Sequence, residues 1–247
     1  MSAKIELNHK IHVLTRKEEI DSVRLPGKVV VVLDILFATT TMVAALAHGA
    51  AAVVPVADEA AAREEAARHG AGQSVLSGEL YAETLPGFVS PTPMALIAHG
   101  VAGKTVVYST TNGTVAMRLA DGAARVYCGA LLNAGALARH IAARHAGDTV
   151  LILCSGSGAN FNFEDFYGAG CFVERLGGLL GTADLSDAAK AARSVFRHAS
   201  VPESLLDTRV GRMMQAKGLD EEVRFACRFD AFPVIPVLEG GRVRPVA

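Results

Sequence analysis

An aspartate follows five consecutive aliphatic residues, and three threonines follow it in turn, in the run VVVVLDILFATTT. Asp34 at the tip of an apolar strand is costly unless it is solvated, hydrogen-bonded or bound to a metal. Thr39, Thr40 and Thr41 open a helical stretch, where hydroxyls and first-turn amides can cradle an anion. A carboxylate on one side and an anion cradle on the other suits a Mg²⁺–phosphate complex. The competing reading has Asp34 capping the helix and the threonines satisfying its first turn.

A second turn of the same kind, Thr110-Thr111-Asn112-Gly113-Thr114, comes directly after VVYS. Asn-Gly marks a tight backbone with exposed amides. The side chains around it exceed what capping requires, so they are candidates for phosphate or substrate binding. A third block, CSGSGANFNFEDFYGAG, runs from a strand through a Gly/Ser loop into a helix that opens on Glu164 and Asp165. Acids at a helix start are favourable in themselves; the sharper reading has them complete a hard, oxygen-rich metal site with Asp34. Glu79, in Ser77-Gly78-Glu79, is expected on a loop near the Ser-Pro-Thr-Pro stretch at 90–93, either functional or merely solvated.

The elements that position these groups follow from hydrophobic periodicity. Val- and Ile-rich runs at 28–33, 52–56, 104–108, 125–128 and 149–154 read as strands covered on both faces. Ala-rich stretches at 41–47, 59–69, 115–119, 134–145 and 164–176 read as helices between them. The alternation predicts an α/β layered fold. Two segments match at an offset of 73: Thr41 with Thr114, Gly49 with Gly122, and Val53 with Val126. This internal βαβ repeat would give the two threonine turns equivalent places at strand C-terminal ends, where open α/β sheets bind ligands. Beyond it come helices at 186–196, 202–217 and 220–228. The Pro-punctuated tail FPVIPVLEGGRVRPVA is expected as an edge strand or strap. No linker composition interrupts the chain, so residues 1–247 are expected to form one unit with a C-terminal elaboration.

Composition narrows the function. The net charge of −1, with no basic stripe and only 6% aromatics, argues against nucleic-acid binding. The four widely spaced cysteines lack a CxxC pair and read as buried reduced thiols of a cytoplasmic protein. The first ten residues lack the apolar core of a signal peptide. Residues 35–57 hold no Asp, Glu, Lys or Arg, but His48, Gly49 and Pro55 within them favour a helix and a strand over a membrane span. The eight histidines, His9 among them, form no HxH or HExxH pattern, and neither GxSxG nor a P-loop occurs. VVVVLD-x-L loosely resembles haloacid-dehalogenase-type phosphatases, but those need a second Asp where Leu36 stands.

Together the blocks resemble the 2-phosphosulfolactate phosphatase family: VVVLDILFATTTMVAAL, Gly78-Glu79, Ser90-Pro91, YSTTNGTVAM, Asn133 in GALLNAGALA, FNFEDFYGAG and GLDEEVRFACRFDAFPVIPV, in order over residues 28–240. The resemblance implies a three-layer α/β/α sandwich with a mixed sheet, a homodimer, and Mg²⁺-dependent hydrolysis of 2-phospho-3-sulfolactate, a small anionic metabolite, within coenzyme M or sulfolactate biosynthesis. It points to Asp34 and Glu79 as catalytic groups and to Asp34, Glu164 and Asp165 as metal ligands. Thr39, Thr40, Thr110, Thr111, Asn112, Gly113, Thr114 and Asn133 become the substrate-binding set. Two departures stand out: Phe37 and Leu80 occupy positions where the family carries arginine, the residue suited to a two-pronged grip on anions. The expectation is a member with altered specificity, or alternatively one that binds a small anion without hydrolysing it.

Overall fold

The computed structural model describes residues 10–181 and 184–246; His9 lies outside them. Ten strands form one mixed sheet: β1 (Ile11–Leu14), β2 (Val29–Leu33), β3 (Ala52–Val56), β4 (Ser74–Leu80), β5 (Glu83–Thr84), β6 (Thr105–Ser109), β7 (Arg125–Gly129), β8 (Val150–Cys154), β9 (Pro236–Glu239) and β10 (Arg242–Pro245). Their order is β1-β8-β2-β7-β9-β10-β3-β6-β4-β5. The helices are α1 (Ala38–Ala47), α2 (Glu59–Ala67), α3 (Pro93–His99), α4 (Gly113–Leu119), α5 (Ala134–Arg144), α6 (Phe163–Leu180), α7 (Asp187–His198), α8 (Glu203–Leu206), α9 (Arg209–Ala216) and α10 (Asp220–Ala226).

Strand β2 shows why the fold is layered. Val29, Val31 and Leu33 join one core with residues of α5, α6 and α7, whereas Val30 and Val32 join a second with α1 and α4. A continuous aliphatic run thus serves two faces of one sheet, and the fold is a three-layer α/β/α sandwich. On the first face the layers lie very close: a Cβ on Gly170 of α6 would lie 2.1 Å from the Ala192 carbonyl oxygen of α7.

The internal repeat is present in the structure. The offset of 73 that takes Ala52 to Arg125 also takes Val56 to Gly129, so β3 and β7 correspond residue for residue. The two units exchange strands: β2 pairs in parallel with β7 of the other unit, and β3 with β6. Parallel halves β1-β8-β2-β7 and β3-β6-β4 result, running antiparallel to one another across β9 and β10.

That junction corrects the sequence-based expectation for the tail, which is an interior hairpin and not an edge strand or strap. One residue pair fastens each side, Tyr127 with Val237 and Val53 with Val243. The missed signal was Gly240-Gly241, both at positive φ (+56° and +74°), the backbone that a two-residue hairpin turn demands. The helix expected over 202–217 is instead α8 and α9, because Thr208 stops the first and caps the second, its Oγ1 accepting the Gly211 amide at 2.9 Å. Glu79 belongs to β4 and not to a loop, paired with Thr84 of β5. Among the described residues, no helix is long and apolar enough to cross a membrane; residues 35–57 contain α1 and β3. All four cysteines are free and buried.

Helix α3 has an unusual cap. Thr92 does not close its own helix. Glu222 of α10 instead accepts the Met94 and Ala95 amides at 2.9 and 3.1 Å and the Thr92 hydroxyl at 2.5 Å. Glu222→Ala is expected to lower stability by roughly 1.5–3 kcal/mol, the scale of a charged hydrogen-bond set. Calorimetric unfolding measures it, and a variant within 0.5 kcal/mol of the parent would show that the cap is dispensable.

Candidate active site

Asp34 leaves β2 into the first turn of α1 and is 9% exposed. Its Oδ1 accepts the Ala38 amide at 3.2 Å. The Thr39 hydroxyl clasps the Asp34 backbone, accepting from its N–H at 2.8 Å and donating to its carbonyl at 3.0 Å. The Thr40 hydroxyl donates to Ile35 O and that of Thr41 to Pro91 O, each at 2.9 Å. Thr39 and Thr40, expected to hold substrate, therefore spend their hydroxyls on the turn itself and do not line the cavity that opens beside Asp34.

The second turn is built alike. Thr114 Oγ1 donates to Thr110 O at 2.8 Å and accepts the Thr110 amide at 3.1 Å. Thr114 is thus structural, while Thr110, Thr111 and Asn112 line the cavity, which has a volume of about 320 Å³. Strand exchange between the repeats brings the two turns together. Gly113 is the contact point: a Cβ there would lie 2.3 Å from Ala38 Cβ and 2.7 Å from Asp34 Oδ2.

Glu79 reaches this junction from β4. Its Oε1 accepts the Thr111 amide at 2.6 Å, and its Oε2 accepts the Thr111 hydroxyl at 3.0 Å and the Ala82 amide at 2.6 Å. Both oxygens are engaged, so Glu79 holds the 110–112 turn and the 81–82 turn against each other.

The remaining acids divide. Asp165 is buried behind the cavity, its Oδ1 accepting the Ile35 amide at 2.8 Å and its Oδ2 the Gly156 amide at 3.1 Å. It ties the exit of β2 to the Gly/Ser loop. Glu164 is also buried, but its Oε1 has no hydrogen-bond partner. It lines a neighbouring cavity of about 410 Å³ that shares Asn162, Arg209 and Val210 with the first. Asn133 lies away from both, its amide bonded to Ala130 N, Cys128 O and Val234 O; it fastens the C-terminal segment and does not reach the cavity.

Electrostatics mark Asp34 out. Burial, with the Glu79 and Glu164 carboxylates adding to it, raises its pKa from 3.8 to about 7, against the opposing pull of the Ala38 amide and Lys17. Burial also raises Glu164, with Arg209 opposing, and lifts Asp165 well above its ordinary value, the Asp34 and Glu164 charges adding to it. Two cations answer these acids, and sequence reasoning found neither. Lys17 is buried, its ammonium 3.0 Å from Asn112 Oδ1 and 3.2 Å from Ser155 O. Arg209, at the start of α9, donates to Asn162 Oδ1 at 3.1 Å and faces both cavities. Lys17 lies in no motif; the only local hint at Arg209 was the Thr208 cap before it.

Among the described residues, no three His, Cys, Asp or Glu side chains converge as a ready metal cage. With Glu79 and Asp165 committed, Asp34 and Glu164 are the carboxylates left for a cation, and the unpartnered Glu164 Oε1 is the kind of oxygen such an ion satisfies. Magnesium takes one or two carboxylates and completes its shell from water and phosphate, so Asp34 on the first cavity and Glu164 on its neighbour, near enough for their charges to interact, are the right kind of donors for it.

Layered sheet, strand-tip acid and two nearby cations define the class: an α/β protein with a candidate anion site at its strand tips. Comparison of the sequence with known proteins makes that more particular. Residues 14–241 match the family described as 2-phosphosulpholactate phosphatase, and the chain belongs to that family. It is 34% identical over 222 residues to a probable 2-phosphosulfolactate phosphatase of Symbiobacterium thermophilum, covering 89% of this chain and 94% of the relative. A protein of the same name from Deinococcus radiodurans is 36% identical over 216 residues, covering 86% and 88%.

Proposed function

We propose that the protein hydrolyses 2-phospho-3-sulfolactate, or a phosphorylated organic acid close to it, to the free hydroxy acid and phosphate, with Mg²⁺ as cofactor. The observation that carries this reading is Asp34, an acid with a pKa near 7 at the point where two distant turns meet over a cavity. Mg²⁺, when bound, would be held by Asp34 and Glu164 and would neutralise charge on the phosphoryl group. Thr110 and Asn112 orient that group while Glu79 holds Thr111 between them, Lys17 fixes Asn112, and Arg209 grips the substrate's second anion in place of an arginine at Phe37 or Leu80. Asp34 Oδ1 is tied to the Ala38 amide, which leaves Oδ2 to take a proton from water or to approach phosphorus. An acyl-phosphate trapped on Asp34 would select the second route. The reading extends to a cytoplasmic homodimer serving coenzyme M or sulfolactate biosynthesis, on the strength of the family resemblance.

Phosphate release from 2-phospho-3-sulfolactate and related phosphorylated acids, with and without Mg²⁺, tests the proposal. The expected result is turnover that chelation abolishes and Mg²⁺ restores. Binding of these acids with no release of phosphate from any of them would defeat it. Arg209→Ala is expected to raise KM about 10- to 100-fold with kcat nearly unchanged, as loss of a charged hydrogen bond to the ground state predicts. Steady-state kinetics separates the two terms, and an unchanged KM would remove Arg209 from the substrate contacts.

A further inference from the structure

Away from the strand-tip cavity, three rings meet around one hydroxyl. Tyr127 is at the middle of β7, His140 is on α5, and His145 caps that helix. His140 Nε2 lies 3.1 Å and His145 Nε2 2.9 Å from Tyr127 Oη. Behind His145, its Nδ1 lies 2.9 Å from Asp148 Oδ2. The His145 side chain is 14% exposed, so most of the cluster is covered while Asp148 reaches solvent.

With both imidazoles neutral, proton counting assigns the arrangement. An ionised carboxylate only accepts, so His145 Nδ1–H donates to Asp148 and His145 Nε2 keeps a lone pair. The single Tyr127 hydrogen goes to that lone pair, and His140 Nε2–H donates to the phenol oxygen. A carboxylate behind an imidazole, holding the lone pair forward, is how proteins orient metal-ligating histidines.

We propose that Tyr127, His140 and His145 form a binding site for a late first-row divalent ion, Cu²⁺ above the others, with Asp148 orienting His145. Neighbouring ligand atoms bound at ~2.0–2.1 Å stand about 2.9 Å apart in the square-planar geometry that Cu²⁺ prefers, and about 3.3 Å apart in a tetrahedral site. The two nitrogen-to-oxygen distances here, 3.1 and 2.9 Å, lie within that span. Two imidazoles and one phenolate make a mixed N,O set, which suits Cu²⁺, and Cu²⁺ heads the divalent affinity order. On binding, the Tyr127 proton leaves to solvent and the His140 proton moves to Nδ1, so one proton is released per ion. The residues are separate from Asp34 and Glu164, and the site stands whatever the phosphatase substrate proves to be.

Equilibrium dialysis of the full chain against CuCl₂, with visible absorption recorded in parallel, tests this. An Asp34→Asn/Glu164→Gln background silences the carboxylates of the other site. The expected result is one tightly held Cu²⁺ and a phenolate-to-copper charge-transfer band in that background. Tyr127→Phe should remove the band, Asp148→Asn should weaken binding 10- to 100-fold, and His140→Ala/His145→Ala should remove the tight equivalent. A background protein with no phenolate band, a band that survives Tyr127→Phe, or undiminished copper in the double-histidine variant would each overturn the site. Tyr127→Phe keeps the ring in place, so the test stands even if the double variant fails to fold.

Discussion

Asp34→Asn is expected to remove turnover and, in the same protein, to raise stability above neutral pH. The two effects share one cause. The folded protein holds the Asp34 carboxyl at a pKa of about 7, above its ordinary 3.8, chiefly because the group is buried. Between roughly pH 4 and 7 the folded state therefore keeps a proton that the unfolded chain has released. Stability falls as pH rises through that window, and the penalty for an ionised, buried Asp34 is complete above it. Asparagine cannot ionise and escapes the penalty, which is on the order of a few kcal/mol. In chelator, the variant should melt higher than the parent at pH 8 and level with it at pH 4. Turnover should drop by at least about 10³-fold, the scale of losing one electrostatic group in a closed site. A variant that lost stability at pH 8 would mean Asp34 is a structural cap, and one that kept its turnover would remove Asp34 from the chemistry.

The second large effect belongs to a residue with no side chain. Gly113→Ala should cost both stability and rate, because the added methyl would sit 2.3 Å from Ala38 Cβ and 2.7 Å from Asp34 Oδ2. Ala38 Cβ cannot swing aside, so the two turns must separate. Overpacking of this kind costs about 1–3 kcal/mol, and a displacement near 1 Å of a reacting group costs about 10²-fold in kcat. Thermal unfolding and single-turnover kinetics read the two losses. Full kcat in the alanine variant would show that the turns do not need their close approach.

Much of the framework was legible because it rests on local rules. Val29–Leu33 and Val150–Cys154 announce strands buried on both faces, and the matching Thr, Gly and Val positions revealed the repeat. Asp34 was legible as an acid in an expensive place. What escaped the reading was decided over long range. Thr39, Thr40 and Thr114 have the right chemistry for an anion cradle, yet the backbone of their own turns consumes it. Glu79, taken for a loop acid, has its oxygens filled by partners from residues 82 and 111. Lys17 and Arg209 enter the site only because β1 and α9 pack where they do, and no spacing in the chain encodes that. Gly240-Gly241 was a local signal that the surrounding prolines obscured.

The hairpin at residues 236–245 has a bearing on biogenesis. Synthesis on the ribosome delivers Val53 and Tyr127 long before Val243 and Val237, the partners that join their strands into one sheet. Until those late residues emerge, β3 and β7 each present a bare backbone edge, the situation in which chaperones bind and aggregation begins. Joining of the two halves of the sheet is therefore expected to be a late step of assembly, with exposed edges of the nascent chain as its most vulnerable intermediates.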